Sequence, residues 1–188
     1  VNNWTVVADF SGGLIDIDNA LVVGSKIVFT GGSSYAAQEN TITNVAVYDT
    51  IAKTFQYYAI ESMIGEVVAI GNTIFLSTLN QIDGLPKLVS LDLSTGVKTT
   101  LWTFTNQESI HGMAVLNDVI YAVGIFTVWI NGHTSTARYR LGRYSGTAWE
   151  YPARSGDGFS GHITGSSIVS TGTSLYLWGT AFGLTVGN

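Results

Sequence analysis

Three histidines, His111, His133 and His162, have the most scope for chemistry near neutral pH, and they stand 22 and 29 residues apart. No pair has the close His-x-x-x-His spacing that brings two imidazoles to one metal. The chain contains no cysteine, which excludes a thiol nucleophile, a cysteine-ligated zinc, an iron–sulfur cluster and a disulfide framework. Ser160 lies in Gly158-Phe159-Ser160-Gly161, where the Gly-x-Ser-x-Gly spacing of a nucleophile elbow is not met. The stretch Ser155-Gly156-Asp157-Gly158 is not followed by the lysine of a phosphate loop and reads as a turn. Asp16 and Asp18 flank Ile17 and fall on one side of an extended segment, the weak candidate for a calcium ion. Their spacing is not that of a dedicated calcium loop. These residues predict neither a catalytic set nor a cofactor.

Residues suited to recognition are more numerous than residues suited to reaction. Trp129 sits in Phe126-Thr127-Val128-Trp129-Ile130-Asn131-Gly132-His133, read as a projecting connection between strands. An aromatic there can stack on a sugar face or dock a partner, with His133 beside it. Tyr35, in the connection from Ser33 to Thr43, is the weaker counterpart. Arg138, Arg140 and Arg143 are the densest basic cluster, and with Trp4 they are the candidate interface residues. Asn3-Trp4-Thr5 is the one glycosylation triplet, with Asn3 as its acceptor.

Charge narrows the partners. Charged residues make up 11% of the 188 residues, and the net charge is −5, against a usual charged share of about 25%. So few cations argue against nucleic acid, whose phosphates are bound by lysine and arginine. Residues 1–94 carry three lysines against nine acids, whereas residues 95–188 carry five bases against four acids. An acidic front and a slightly basic back suit head-to-tail contacts. No apolar run is long enough for a membrane-spanning helix. The chain begins at Val1, which reads as a processed product or an excerpt.

These side chains must be positioned by the elements between them, and those elements repeat. Four segments share a short apolar strand, a two-residue turn and a second apolar strand: Leu21–Phe29, Val67–Leu76, Met113–Ala122 and Ile168–Leu177. Their turn pairs, Gly24-Ser25, Gly71-Asn72, Asn117-Asp118 and Gly172-Thr173, can each supply the positive φ of a tight hairpin. The equivalent residues Ile27, Ile74, Ile120 and Leu175 are 47, 46 and 55 residues apart. A second hairpin follows in three units, at Asn44–Tyr58, Leu88–Trp102 and Ala137–Tyr151. Alternation and β-branched or aromatic residues mark strands throughout, and helical periodicity is absent.

Four antiparallel strands in about 46 residues is the signature of a β-propeller blade. The sequence therefore predicts an all-β fold, a single propeller domain or propeller excerpt of about four four-stranded antiparallel blades. The blades span approximately residues 18–60, 61–104, 108–153, and 160–188 together with 1–10. The last unit holds one hairpin and a short remainder. Trp4 resembles Phe55 and Trp149 in opening an outer strand, so the N-terminal strand is expected to close the last blade. The other readings are a longer propeller or a strand supplied by a neighbouring subunit.

Val28-Phe29-Thr30-Gly31-Gly32, Val47-Tyr48-Asp49 and Phe55, seven residues after Tyr48, carry a family likeness. The third unit has a looser copy in Tyr121-Ala122-Val123-Gly124, Arg143-Tyr144-Ser145 and Trp149, and the fourth has Leu177-Trp178-Gly179. This pattern resembles kelch-type propeller repeats and the related Rax2-like, galactose-oxidase-like repeats of surface proteins. The resemblance implies binding or surface architecture. Copper chemistry of the galactose-oxidase kind does not carry over, because its crosslinked cysteine is missing.

The expected function is a non-catalytic structural or interaction module at the cell surface or outside the cell. It would associate with copies of itself or with another surface protein. The alternative is a carbohydrate-binding, lectin-like propeller using Trp129, with a glycan as partner. An enzyme with a loop-face site is third.

Overall fold

The computed structural model describes residues 17–31, 44–60, 64–78, 85–105, 108–127, 138–150 and 167–178. Among these the fold is all-β, with fourteen strands and no helix. The chain forms two compact units, Val1–Ile64 and Gly65–Asn188.

The first unit contains β1 (Asn19–Val23), β2 (Lys26–Thr30), β3 (Val45–Asp49) and β4 (Thr54–Tyr58). They form one antiparallel sheet in sequential order. Burial follows position in the sheet. The third strand, Val-Ala-Val-Tyr-Asp, buries its first four residues on both faces, while the outer strand β4 exposes Thr54, Gln56 and Tyr57. A strand covered on both sides has no solvent face for polar residues, hence its continuous apolar run.

The second unit repeats this sheet. β5 (Ile64–Ile70), β6 (Thr73–Thr78), β7 (Lys87–Asp92) and β8 (Lys98–Thr103) are again in sequential order, with Ile64 contributed from the unit boundary. β9 (Ser109–Leu116), β10 (Val119–Thr127), β11 (Arg138–Tyr144) and β12 (Trp149–Glu150) make the next sheet. β13 (Ser167–Ser170) and β14 (Leu175–Trp178) form a hairpin.

Two kinds of local chemistry set these registers. Asn117 and Asp118 both take positive φ, whereas Gly24 and Gly71 do so at the first turn position only. Both arrangements match the right-handed twist of a two-residue hairpin. The outer hairpins of the first two sheets turn on aspartate. One oxygen of Asp49 accepts the N–H of Ile51 and of Ala52, at 2.8 and 2.9 Å. Asp92 does the same for Ser94 and Thr95, at 2.7 and 3.0 Å. Lys53 and Gly96 then adopt positive φ in the two turns. The backbone donors hold both carboxyls below the usual carboxylate range.

The core of the second unit lies between stacked sheets. Val68, Leu88 and the residue after β8, Phe104, pack with Met113, Ile120, Ala122, Tyr144 and Trp149. On the opposite face of β9–β11, Ala114, Val123, Tyr121 and Leu141 pack with Ile168, Leu175 and Leu177 of the final hairpin. Successive residues of β10 thus alternate between two interfaces, as period-two side chains require. Each aliphatic side chain so buried contributes about 1.5–3 kcal/mol. The stacking brings backbones together: a Cβ on Gly112 would lie 3.2 Å from the Ser167 Cα and 3.3 Å from the Ile168 nitrogen.

Candidate functional site

Chemistry-bearing side chains meet at one strand end in the second unit. The Ser109 hydroxyl and His111 Nε2 share a hydrogen bond of 2.8 Å. β9 pairs Gly112 with Val123 but Ile110 with Gly124, so the register shifts by one residue and His111 is the extra residue of a β-bulge. Such a bulge re-aims a side chain. It also needs glycine opposite: a Cβ on Gly124 would sit 2.0 Å from the Ser109 carbonyl oxygen. Glu108 next to this pair is buried, and its carboxylate accepts the Thr105 N–H at 2.7 Å. A hydroxyl hydrogen-bonded to an imidazole is the contact of a nucleophile with its base. The same bond also satisfies two polar side chains at a strand end. Sequence reading placed His111 at a strand start and missed Ser109. The signal was the Ser-x-His spacing together with the glycine across the sheet.

Most of the sequence-derived candidates lie outside the described residues. Trp129 and His133 lie in 128–137, between β10 and β11, and Tyr35 in 32–43, between β2 and β3; all three are outside the described residues. Trp4, Asn3 and Asp16 also lie outside them. Asp18 is exposed before β1, and its N–H donates to the Thr30 carbonyl at 2.9 Å. No group of three or more metal-ligating side chains occurs among the described residues. Arg138 and Arg140 fall on β11. Arg143, on the same strand, makes an ion pair with Glu150 of β12, with nitrogen–oxygen distances of 2.6 and 2.7 Å. Both side chains are nearly half exposed, so the pair adds at most about 1 kcal/mol.

A different feature has the character of a binding surface. In the final hairpin, Val169 lies opposite Tyr176, and Ser167 opposite Trp178. These four share the face turned away from Ile168, Leu175 and Leu177. Val169 is 43% exposed, Tyr176 57% and Trp178 51%. Among the described residues β14 pairs with β13 alone. The first unit has a second apolar face. Val22, Ile27, Tyr48 and Phe55 stand in one row across β1–β4, with Ala20, Phe29, Ala46 and Tyr57 in the next. Tyr48 and Phe55 have ring centroids 4.8 Å apart, and Phe55 and Tyr57 5.9 Å. Val22 is 71% exposed and Tyr57 44%. Ala46 and Tyr48, in the middle of the first unit's face, are buried, so exposure there is greatest on the outer strands; the apolar face of the final hairpin is the one that can dock another apolar surface.

No protein-family model matches the chain, and no curated protein matches it.

Proposed function

We propose that the chain is a non-catalytic interaction module, built as kelch-type β-propeller blades, that assembles with copies of itself at a cell surface or outside the cell. The observation that carries this reading is the exposed apolar face of the final hairpin, formed by Val169, Tyr176 and Trp178. An apolar face of this kind gains by being covered.

The blade architecture, of about four units with the last completed by further strands, is supported by repetition. Sequential four-stranded antiparallel sheets recur. In the second unit they stack face to face through apolar layers. Repeats that bury a face only against their neighbours behave in this way. A surface location is supported by the low charge and by the kelch-type pattern of the first unit.

Light scattering over a concentration series, with negative-stain imaging of the same samples, tests the reading. Mass that rises with concentration is the expected result. A constant monomer mass up to millimolar concentration would overturn it. A sugar-dependent change in intrinsic fluorescence, lost on Trp129→Ala, would favour the carbohydrate-binding alternative instead.

A further inference from the structure

We infer that two copies of this chain pair through the β13–β14 face alone, each hairpin laid on the same hairpin of the other about a two-fold axis parallel to the strands. This inference rests on the self-association proposed above and names the surface that makes it.

The face is continuous where other exposed apolar side chains are isolated. Ile51 stands in a turn, Val97 precedes β8, and Trp102 lies on the outer strand β8. Val22 and Tyr57 belong to the two outer strands of the first sheet, with buried Ala46 and Tyr48 between them. In the final hairpin Val169, Tyr176 and Trp178 adjoin one another, and all three are exposed. The faces of β9–β11 cannot serve, because apolar layers cover both. A heterologous contact needs two different faces on each copy. Among the described residues a continuous exposed apolar face occurs once, in this hairpin. It therefore meets its own kind, and a like-with-like contact is two-fold.

Charge permits this pairing. Like charges brought face to face repel, and the chain as a whole carries −5. Residues 167–178, however, contain no Asp, Glu, Lys or Arg.

Side-chain size specifies the axis. On this face β13 carries the small Ser167 and Val169, and β14 the large Tyr176 and Trp178. Ser167 lies directly across from Trp178, and Val169 from Tyr176. An axis parallel to the strands and midway between them turns one hairpin over onto the other. Each β14 then lies above the β13 of the other copy. Tyr176 faces Val169 of the other copy, and Trp178 faces Ser167. Large side chains meet small ones at every position, as interdigitated packing requires. An axis across the strands would instead set Trp178 against Tyr176 and Ser167 against Val169, large on large and small on small. The contact closes on itself, so growth stops at two chains.

Complementary charges test the pairing. Val169→Lys and Tyr176→Glu each bury an unpaired charge twice in a two-fold contact. Sedimentation velocity on either variant alone should show association weakened about a hundredfold, tenfold for each site. In an equimolar mixture the two introduced charges face each other at one site, and the other site keeps its tyrosine–valine contact. Two-chain association should return. The wild type should reach twice the chain mass and rise no further with concentration. Unchanged far-UV circular dichroism and urea midpoints verify folding. Ser167→Glu with Trp178→Lys, the other facing pair, is used if either variant misfolds. Association undiminished in either variant, a mixture as weak as its components, or a wild-type mass that climbs past two chains overturns the two-fold contact while leaving self-association standing. A wild-type chain that stays monomeric overturns both readings.

Discussion

Gly142→Ala is expected to destabilise the second unit by displacing a single indole ring. Gly142 lies on β11 opposite Ala122. A Cβ there would stand 2.6 Å from Trp149 Nε1 and 2.8 Å from both Cε2 and Cζ2. Ordinary contact begins near 3.4 Å, so the ring must retreat by roughly 0.6–0.8 Å. It has little room. Phe104 meets it edge-on at 5.5 Å and 87°, Tyr144 lies 6.2 Å away, and the indole is buried. Overpacking of this kind costs about 1–3 kcal/mol. Replacing a strand glycine returns about 0.5–1 kcal/mol of backbone entropy. The net loss is therefore about 0–2.5 kcal/mol with a midpoint near 1, read as a lower urea midpoint at unchanged slope. The decisive comparison repeats the substitution in a Trp149→Leu background. Leucine places no ring atom at the Nε1, Cε2 or Cζ2 positions that the added Cβ would meet, so Gly142→Ala should be neutral or stabilising there. The two sites should couple by about 1 kcal/mol or more. Equal costs in the two backgrounds would show that the glycine is not there to admit the indole.

Three further outcomes follow from polar groups. Asn44 is buried, donates to the Ile60 carbonyl and accepts the Ile60 N–H, both at 2.8 Å; Asn44→Ala leaves both groups stranded and should cost about 2–4 kcal/mol in urea denaturation. Burial raises the Glu66 carboxyl above its ordinary 4.5. The folded state then binds more protons than the unfolded one as pH rises from that value through the raised one, so stability falls across that window. Glu66→Gln should accordingly raise the Tm at pH 7 and leave it unchanged at pH 3. Asp92 has the opposite sign. Its lowered carboxyl stabilises the β7–β8 turn above pH 3.8 and loses that contribution as pH falls through the folded value. Asp92→Ala should speed amide exchange at Ser94 and Thr95 at neutral pH, and an unchanged rate would refute the turn assignment.

Part of this molecule was legible residue by residue. The hairpin turns at Gly24-Ser25, Gly71-Asn72 and Asn117-Asp118 were readable because positive φ is a local demand that few residues meet. Strand positions followed from alternation, and the repeat from the common distance between turns. The Ser109–His111 contact was not legible, because it depends on a bulge whose cause is the close passage of Gly124 by the Ser109 carbonyl. Arg143 read as one of an interface cluster, yet its acid is Glu150, one strand away in the same sheet.

The sequence by itself determined the all-β class, the turns and the strand order within each sheet, because these depend on dihedral preference and on contacts short in sequence. Only the tertiary structure decided which apolar faces are covered. Val115 and Val169 are both valines on the first strand of a repeat hairpin, yet Val115 packs into a core layer and Val169 stands in solvent. No property of the residue distinguishes them. What differs is whether another sheet arrives from elsewhere in the chain, since hydrophobic burial is non-directional and takes whatever apolar surface the fold brings within reach.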